Sequence, residues 1–273
     1  MRTLRRLWTT FVCLAFPASV KPCLLWLAGH RVHRSARIGV SLIRVDRLYL
    51  GRNARIGQLN LLRARRLVMR EHANIGHLNW VSGDISISLA ERAAIGHRNH
   101  INAGTWPGLR HRPQLRLGVW AKITTGHFVN ACESVTLGKY TTLAGFGSQL
   151  WTHGYVHMSE GLERAEVRGK ITIGDNVYIG SNCTLQAGIR IANAVSVGAH
   201  ASVAKSLLEP GVYVPQELRY LRRSPEDRLA GLDQITPGSN DRNPVYWRGG
   251  GGALTDSALK SRLAKASDPQ SEF

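Results

Sequence analysis

Ile173-Gly174-Asp175-Asn176-Val177-Tyr178-Ile179-Gly180-Ser181-Asn182-Cys183-Thr184-Leu185-Gln186-Ala187-Gly188-Ile189-Arg190-Ile191-Ala192-Asn193-Ala194-Val195-Ser196-Val197-Gly198-Ala199-His200-Ala201-Ser202-Val203 carries an aliphatic residue every sixth position. The anchors are Ile173, Ile179, Leu185, Ile191, Val197 and Val203. A helix repeats near 3.6 residues and a strand at 2, so six belongs to neither. It fits a chain wound as a triangular prism, one short strand per face and one turn per corner. Three hexads then close one coil of about 18 residues. Two positions before the last five anchors stand Val177, Cys183, Ile189, Val195 and Ala201, small or branched residues that share the inward face. The residue after each anchor is Gly174, Gly180, Gln186, Ala192, Gly198 or Ala204. Five of these six are Gly or Ala, as a tight corner with unusual φ requires.

Weaker copies run upstream, at Leu50 and Ile56, Met69 and Ile75, Leu89 and Ile95, Leu117 and Ile123, and Leu137 and Leu143. An outward loop is expected around Trp106-Pro107-Gly108 to Pro113, within 104–116, and another over 153–170. The fold class is all-β, a parallel solenoid of about eight or nine coils. It occupies 36–206, between a short helical segment at 1–35 and an extended tail at 207–273. The period leaves handedness open.

The net charge is +18, and the start of the chain holds most of it. Residues 1–71 contain 15 Lys or Arg against Asp46 and Glu71. Arg2, Arg5 and Arg6 precede an apolar run from Leu7 to Val20, and a second run follows from Cys23 to Ala28. Neither reaches the ~20 residues that span a bilayer. A cleaved signal peptide, a cap on the open solenoid end, and short helices in a membrane interface all fit. The interfacial reading fits the charge best, with Trp8 and Trp26 at headgroup level and an anionic membrane as partner. The expected place is cytoplasmic, on the inner face of the cell membrane. No nucleic-acid motif accompanies the charge, so nucleic acid is not an expected partner. The four cysteines lack metal spacing and read as free thiols, Cys183 as a core residue. After Ser224 the chain turns polar, with Gly249 to Gly252 in a row; a short helix near 254–265 is expected there.

Function must come from a site on this scaffold. His153 stands in Gln149-Leu150-Trp151-Thr152-His153-Gly154-Tyr155-Val156-His157, where the coil stops. The strict hexads, with Thr152-His153 some 28 residues before Ile179-Gly180-Ser181, resemble the hexapeptide-repeat acyltransferases. That family includes galactoside and maltose acetyltransferases, serine acetyltransferase, and the O-acetyltransferases of bacterial surface polysaccharides. The resemblance is close over 117–206 and loose over 36–116. It implies a left-handed β-helix, a homotrimer with sites between subunits, and acyl transfer from acetyl-CoA without a metal. The implied acceptor is a sugar hydroxyl of a polysaccharide or glycolipid precursor.

The resemblance makes His153 the catalytic base. Ser181 and Ala199 become coenzyme A contacts, and Lys205 the residue that meets the cofactor's phosphates. Ala204 replaces the usual threonine, and Val214 to Tyr220 the usual Ala-Gly-Asn-Pro. His127 and Asn130 stand nearest the family's acceptor-binding asparagine; Trp151 and His157 are taken as further acceptor contacts. One ring nitrogen of His153 must be held by an acceptor, and Glu160, Glu163 and Glu166 are candidates. A backbone N–H near Ser181 or Cys183 is expected to hold the oxyanion. Two other readings use the same coil. A γ-carbonic-anhydrase-like zinc enzyme would draw on His72-x4-His77. A non-catalytic scaffold would use the coil alone.

Overall fold

A computed structural model describes residues 2–104, 112–157, 159, 164–215, 219–221, 233–236 and 245–247. The chain divides into two compact units, residues 1–222 and 223–273. The second unit contributes a hairpin of Asp233–Thr236 and Val245–Trp247. The loop tip around Trp106 and the segment 254–265 lie outside the described residues.

The first unit is a parallel β-solenoid with three faces. One face stacks Trp80–Gly83, His100–Ala103, Phe128–Asn130, Gln149–Trp151, Thr184–Leu185 and Ser202–Val203. A second stacks Ser86–Leu89, Gln114–Leu117, Val135–Leu137, Ile171–Ile173 and Arg190–Ile191. A third runs from Arg37–Ile38 to Gly211–Val214. In the lowest coils the long strands Leu42–Leu50 and Leu61–Met69 serve the first two faces together. All six anchors from Ile173 to Val203 are buried, as are their upstream counterparts from Leu50 to Leu143. The period of six is therefore the core itself.

The corners differ from expectation. The left-handed residue is not the one after the anchor but the third after it. Asn176, Asn182, Ala194 and His200 hold φ of 55, 55, 57 and 64° there. The small residue after the anchor answers to stacking. A Cβ on Gly180 would lie 2.6 Å from Ala199 N, and one on Gly39 2.6 Å from Gly57 O. Coils spaced at sheet distance leave no room for a side chain between successive corners.

The position two before each first-face anchor also changes character along the axis. In the upper coils it holds Cys183 and Ala201. Below it holds Ser41, Asn60, Asn79, Asn99, His127 and Ser148, all buried. Each passes a hydrogen bond to the next coil. Asn60 Oδ1 accepts from Asn79 N at 2.9 Å, Asn79 Oδ1 from Asn99 N at 2.9 Å, and Asn99 Oδ1 from His127 N at 2.9 Å. His127 Nδ1 then accepts from Ser148 N at 3.1 Å, and Ser148 Oγ from Cys183 N at 3.1 Å. Buried polar side chains persist here because each meets backbone groups that the corner leaves unpaired.

Two helices close the lower end, α1 (Arg2–Ala15) and α2 (Lys21–Leu27). Thr9 Oγ1 lies 2.7 Å from His30 Nε2, while His30 Nδ1 accepts from Leu48 N at 3.2 Å. Thr10 Oγ1 donates to Ile43 O, and Arg6 pairs with Asp46. Lys21 is only 1% exposed. Its Nζ donates to Cys13 O, Ile38 O and Gly39 O at 2.7, 3.1 and 3.0 Å. Burial lowers the Lys21 pKa and raises that of Cys13 to about 12. Among the described residues no helix is long and apolar enough to cross a membrane.

At the upper end the parallel ladder continues beyond residue 206. Leu207 bridges Ile191, and Gly211–Val214 stacks on Val195–Val197. Arg219–Leu221 then folds back antiparallel on Gly211–Val214.

Candidate active site

The strand Gln149–Trp151 ends at the corner between the first and second faces. There the chain leaves the coil as an antiparallel hairpin, His153–His157 with Arg164–Arg168. His153 is the first residue of this excursion and remains half-buried beside the coil. Its Nδ1 lies 2.9 Å from Asn130 Oδ1, one coil below. An amide oxygen only accepts, so Nδ1 carries the hydrogen and Nε2 keeps a free lone pair. Asn130 is held in turn by Thr152, whose Oγ1 donates to Asn130 O at 2.9 Å and accepts from Glu133 N at 2.9 Å. Both Asn130 and Thr152 are buried. The ring edge of His153 meets Tyr155, with centroids 5.8 Å apart. Arg168 pairs with His153 across the hairpin and with Glu166 Oε1 at 2.9 Å; this bond raises the guanidinium pKa.

This geometry corrects several sequence expectations. The partner of His153 is an amide and not a carboxylate. Glu166 is turned to Arg168, while Glu160 and Glu163 lie outside the described residues. Asn130 holds the His153 ring from beneath through its Oδ1. His127 is 1% exposed. Its Nδ1 is taken by Ser148 N and its Nε2 lies 3.0 Å from Thr124 Oγ1. Burial lowers its pKa to about 4, so it is a neutral member of the polar column and has no free nitrogen for an acceptor. The Cys183 N–H is spent on Ser148 Oγ, which leaves Ser181 as the donor of that pair available for an oxyanion.

The remaining expected residues fall in two columns. Lys205 follows Val203, which stacks on Leu185 and thus on Leu150, so it stands at the His153 corner two coils higher. Ser181 and Ala199 occupy the opposite corner of the first face, on adjoining coils, joined by His200 N to Ser181 O at 2.8 Å. Within one chain, the Ser181 corner and the His153 corner are separated by the width of that face. His157 is exposed farther along the hairpin, on the side that carries His153 and Tyr155.

Trp151 ends a row of rings on the outer side of the first face. Trp80 and His100 stack at 4.6 Å, His100 and Phe128 meet edge-on at 5.1 Å, and Phe128 and Trp151 are tilted at 4.9 Å. Sequence reading missed this row, although its first members sit in the same place of successive hexads. His77 stacks on His97 at 5.2 Å, and its Nδ1 accepts from Gln58 N. Among the described residues no three His, Cys, Asp or Glu side chains group to hold a metal.

Residues 170–205 match the family model described as bacterial transferase hexapeptide (six repeats). No curated protein matches the chain. Several solved structures resemble it. The polySia-specific acetyltransferase NeuO aligns at 13% identity and a TM-score of 0.40, over 87% of this chain and 92% of that one. A galactoside acetyltransferase in complex with coenzyme A aligns at 22% and 0.38, over 51% and 68%. A variant of AntD, an N-acyltransferase from Bacillus cereus, in complex with dTDP and coenzyme A, aligns at 14% and 0.38, over 65% and 76%.

Proposed function

We propose that this chain, whose coils 170–205 are those of the bacterial hexapeptide transferases, moves an acetyl group from acetyl-CoA to a sugar hydroxyl. The observation that carries this reading is His153 Nε2, left free while Nδ1 is fixed on buried Asn130. A hydroxyl is a poor nucleophile at neutral pH. A neutral imidazole that removes its proton during attack contributes about 10²–10⁴ in rate. The imidazolium then returns that proton to the departing thiolate. The Ser181 N–H faces the developing oxyanion, and Lys205 meets the cofactor's phosphates.

The two columns of residues support a homotrimer. Ser181 and Ala199 on one protomer and His153 with Lys205 on another close one groove at each seam. Val156 and Val167, exposed on the hairpin, provide apolar surface for that seam. The acceptor sugar lies over the ring row that ends at Trp151, with His157 at the groove mouth. A sugar unit of a membrane-linked polysaccharide or glycolipid precursor fits this row and the basic lower end. The enzyme then works at the inner face of the cell membrane.

Thiol release from acetyl-CoA with a sugar acceptor tests the chemistry. His153→Ala should lower it by about 10²–10⁴. Equal release by both proteins refutes the reading. Mixing unfolded His153→Ala and Ser181→Glu chains and refolding them together should restore activity that neither has alone. No restoration refutes a shared site.

A further inference from the structure

The cap helix α1 is inside out for a helix in water. Its anchoring side carries Thr9, Thr10, Val12 and Cys13, with Arg6 on Asp46. Its outer side shows Leu4, Leu7, Trp8, Phe11 and Leu14, a helical stripe that is 40–73% exposed. Trp26 and Leu27 of α2 are exposed as well, and Leu27 faces the stripe across a groove of about 870 Å³. An exposed apolar face of this extent marks a contact surface.

Next to the groove lies a second cavity of about 400 Å³, lined by Arg5, Arg31, Arg47 and Arg66. Arg5 and Gly29 line both cavities. Arg47 and Arg66 are direct neighbours on adjoining coils. Among the described residues none of the four guanidiniums has an ion-pair partner. Asp46, the nearest acid in sequence, is committed to Arg6. Like charges held side by side without an acid oppose one another unless an anion joins them. Guanidinium forks match phosphate oxygens.

We infer that the lower end of the solenoid docks end-on against an anionic phospholipid bilayer. The α1 stripe enters the acyl boundary and the arginine cavity takes a lipid phosphate. A second copy of this chain fits poorly, because it would bring two arginine clusters face to face. The first-face strands place His153 five strand spacings above Leu42–Leu50, roughly 24 Å along the axis. Resting on the acyl-transfer reading, this selects acceptor hydroxyls several sugars away from their lipid. A hydroxyl on the first sugar would stay out of reach.

Vesicle sedimentation of the full chain tests this without turnover, so its outcome is independent of the chemistry. Wild type and His153→Ala should both bind phosphatidylcholine–phosphatidylglycerol vesicles and leave pure phosphatidylcholine vesicles largely unbound. Arg47→Gln with Arg66→Gln should weaken binding about thirtyfold. Leu7→Ser with Phe11→Ser should weaken it at least about tenfold, and their exposed positions leave the fold intact. Excess inorganic phosphate or glycerol phosphate should not displace the protein. Equal binding to both vesicle types, or unchanged binding of both double variants, overturns the proposal. Displacement by free phosphate makes the cavity a soluble-anion site, and a Phe11-dependent dimer without vesicle binding makes the stripe a self-contact. Either result overturns it too.

Discussion

Replacing His127 by Asn should remove much of the acid sensitivity of this fold. Three coils in the same column, at Asn60, Asn79 and Asn99, already use the replacement residue, so the hydrogen bonds to Asn99 and Ser148 can be kept. The folded pKa of His127 is lowered to about 4 by burial. In the unfolded chain a histidine titrates near 6.5. Between these values the unfolded chain binds the proton and the folded chain does not. The contribution of neutral His127 is thus complete above about pH 6.5 and is lost as pH falls toward about 4. The gap between about 4 and about 6.5 makes the whole loss about 3.4 kcal/mol, of which about 2.5 kcal/mol is gone by pH 4.5. His30 holds the same pKa of about 4 for the same reason and adds a comparable loss. Urea unfolding at pH 7 and at about pH 4.5 measures this for wild type, His127→Asn and the exposed control His157→Asn. The loss on acidification should be about 2–3 kcal/mol smaller in His127→Asn than in the other two. The same loss in all three proteins would refute the buried neutral histidine.

Asn130→Leu should lower turnover by up to about 10²-fold while leaving the KM for acetyl-CoA near wild type, because it frees the ring of His153 without touching the cofactor; steady-state kinetics separates the two parameters. Lys21→Met leaves Cys13 O of the cap and Ile38 O and Gly39 O of the first coil without their donor and should cost about 3 kcal/mol, read from chemical unfolding. Gly180→Ala should destabilise by about 1–3 kcal/mol, since its Cβ would meet Ala199 N. Ala194→Gly, at φ 57°, should be neutral or up to about 1 kcal/mol stabilising. A cost at Ala194 and none at Gly180, by thermal melts, would overturn the stacking account of the corners.

The winding is legible in the sequence, because strand alternation and one anchor per face write a period of six directly into the chain. The sequence also singled out His153, which stands where that period breaks. Position-by-position matching set Ser181, Ala199 and Lys205 at successive heights, since height along the axis follows from counting hexads. Which corner each faces depends on where the hairpin leaves the coil and where the chain rejoins it. The tertiary structure alone therefore separated the Ser181 corner from the His153 corner. It alone also reassigned His127 and Asn130. Both precede His153 by a full coil, and the hexad position turns the His127 side chain into the core and sets that of Asn130 beneath the His153 ring. The hydrogen-bond partner of His153 lies 23 residues away, one coil below. No local pattern marks it, because contact between coils is fixed by the length of every turn in between.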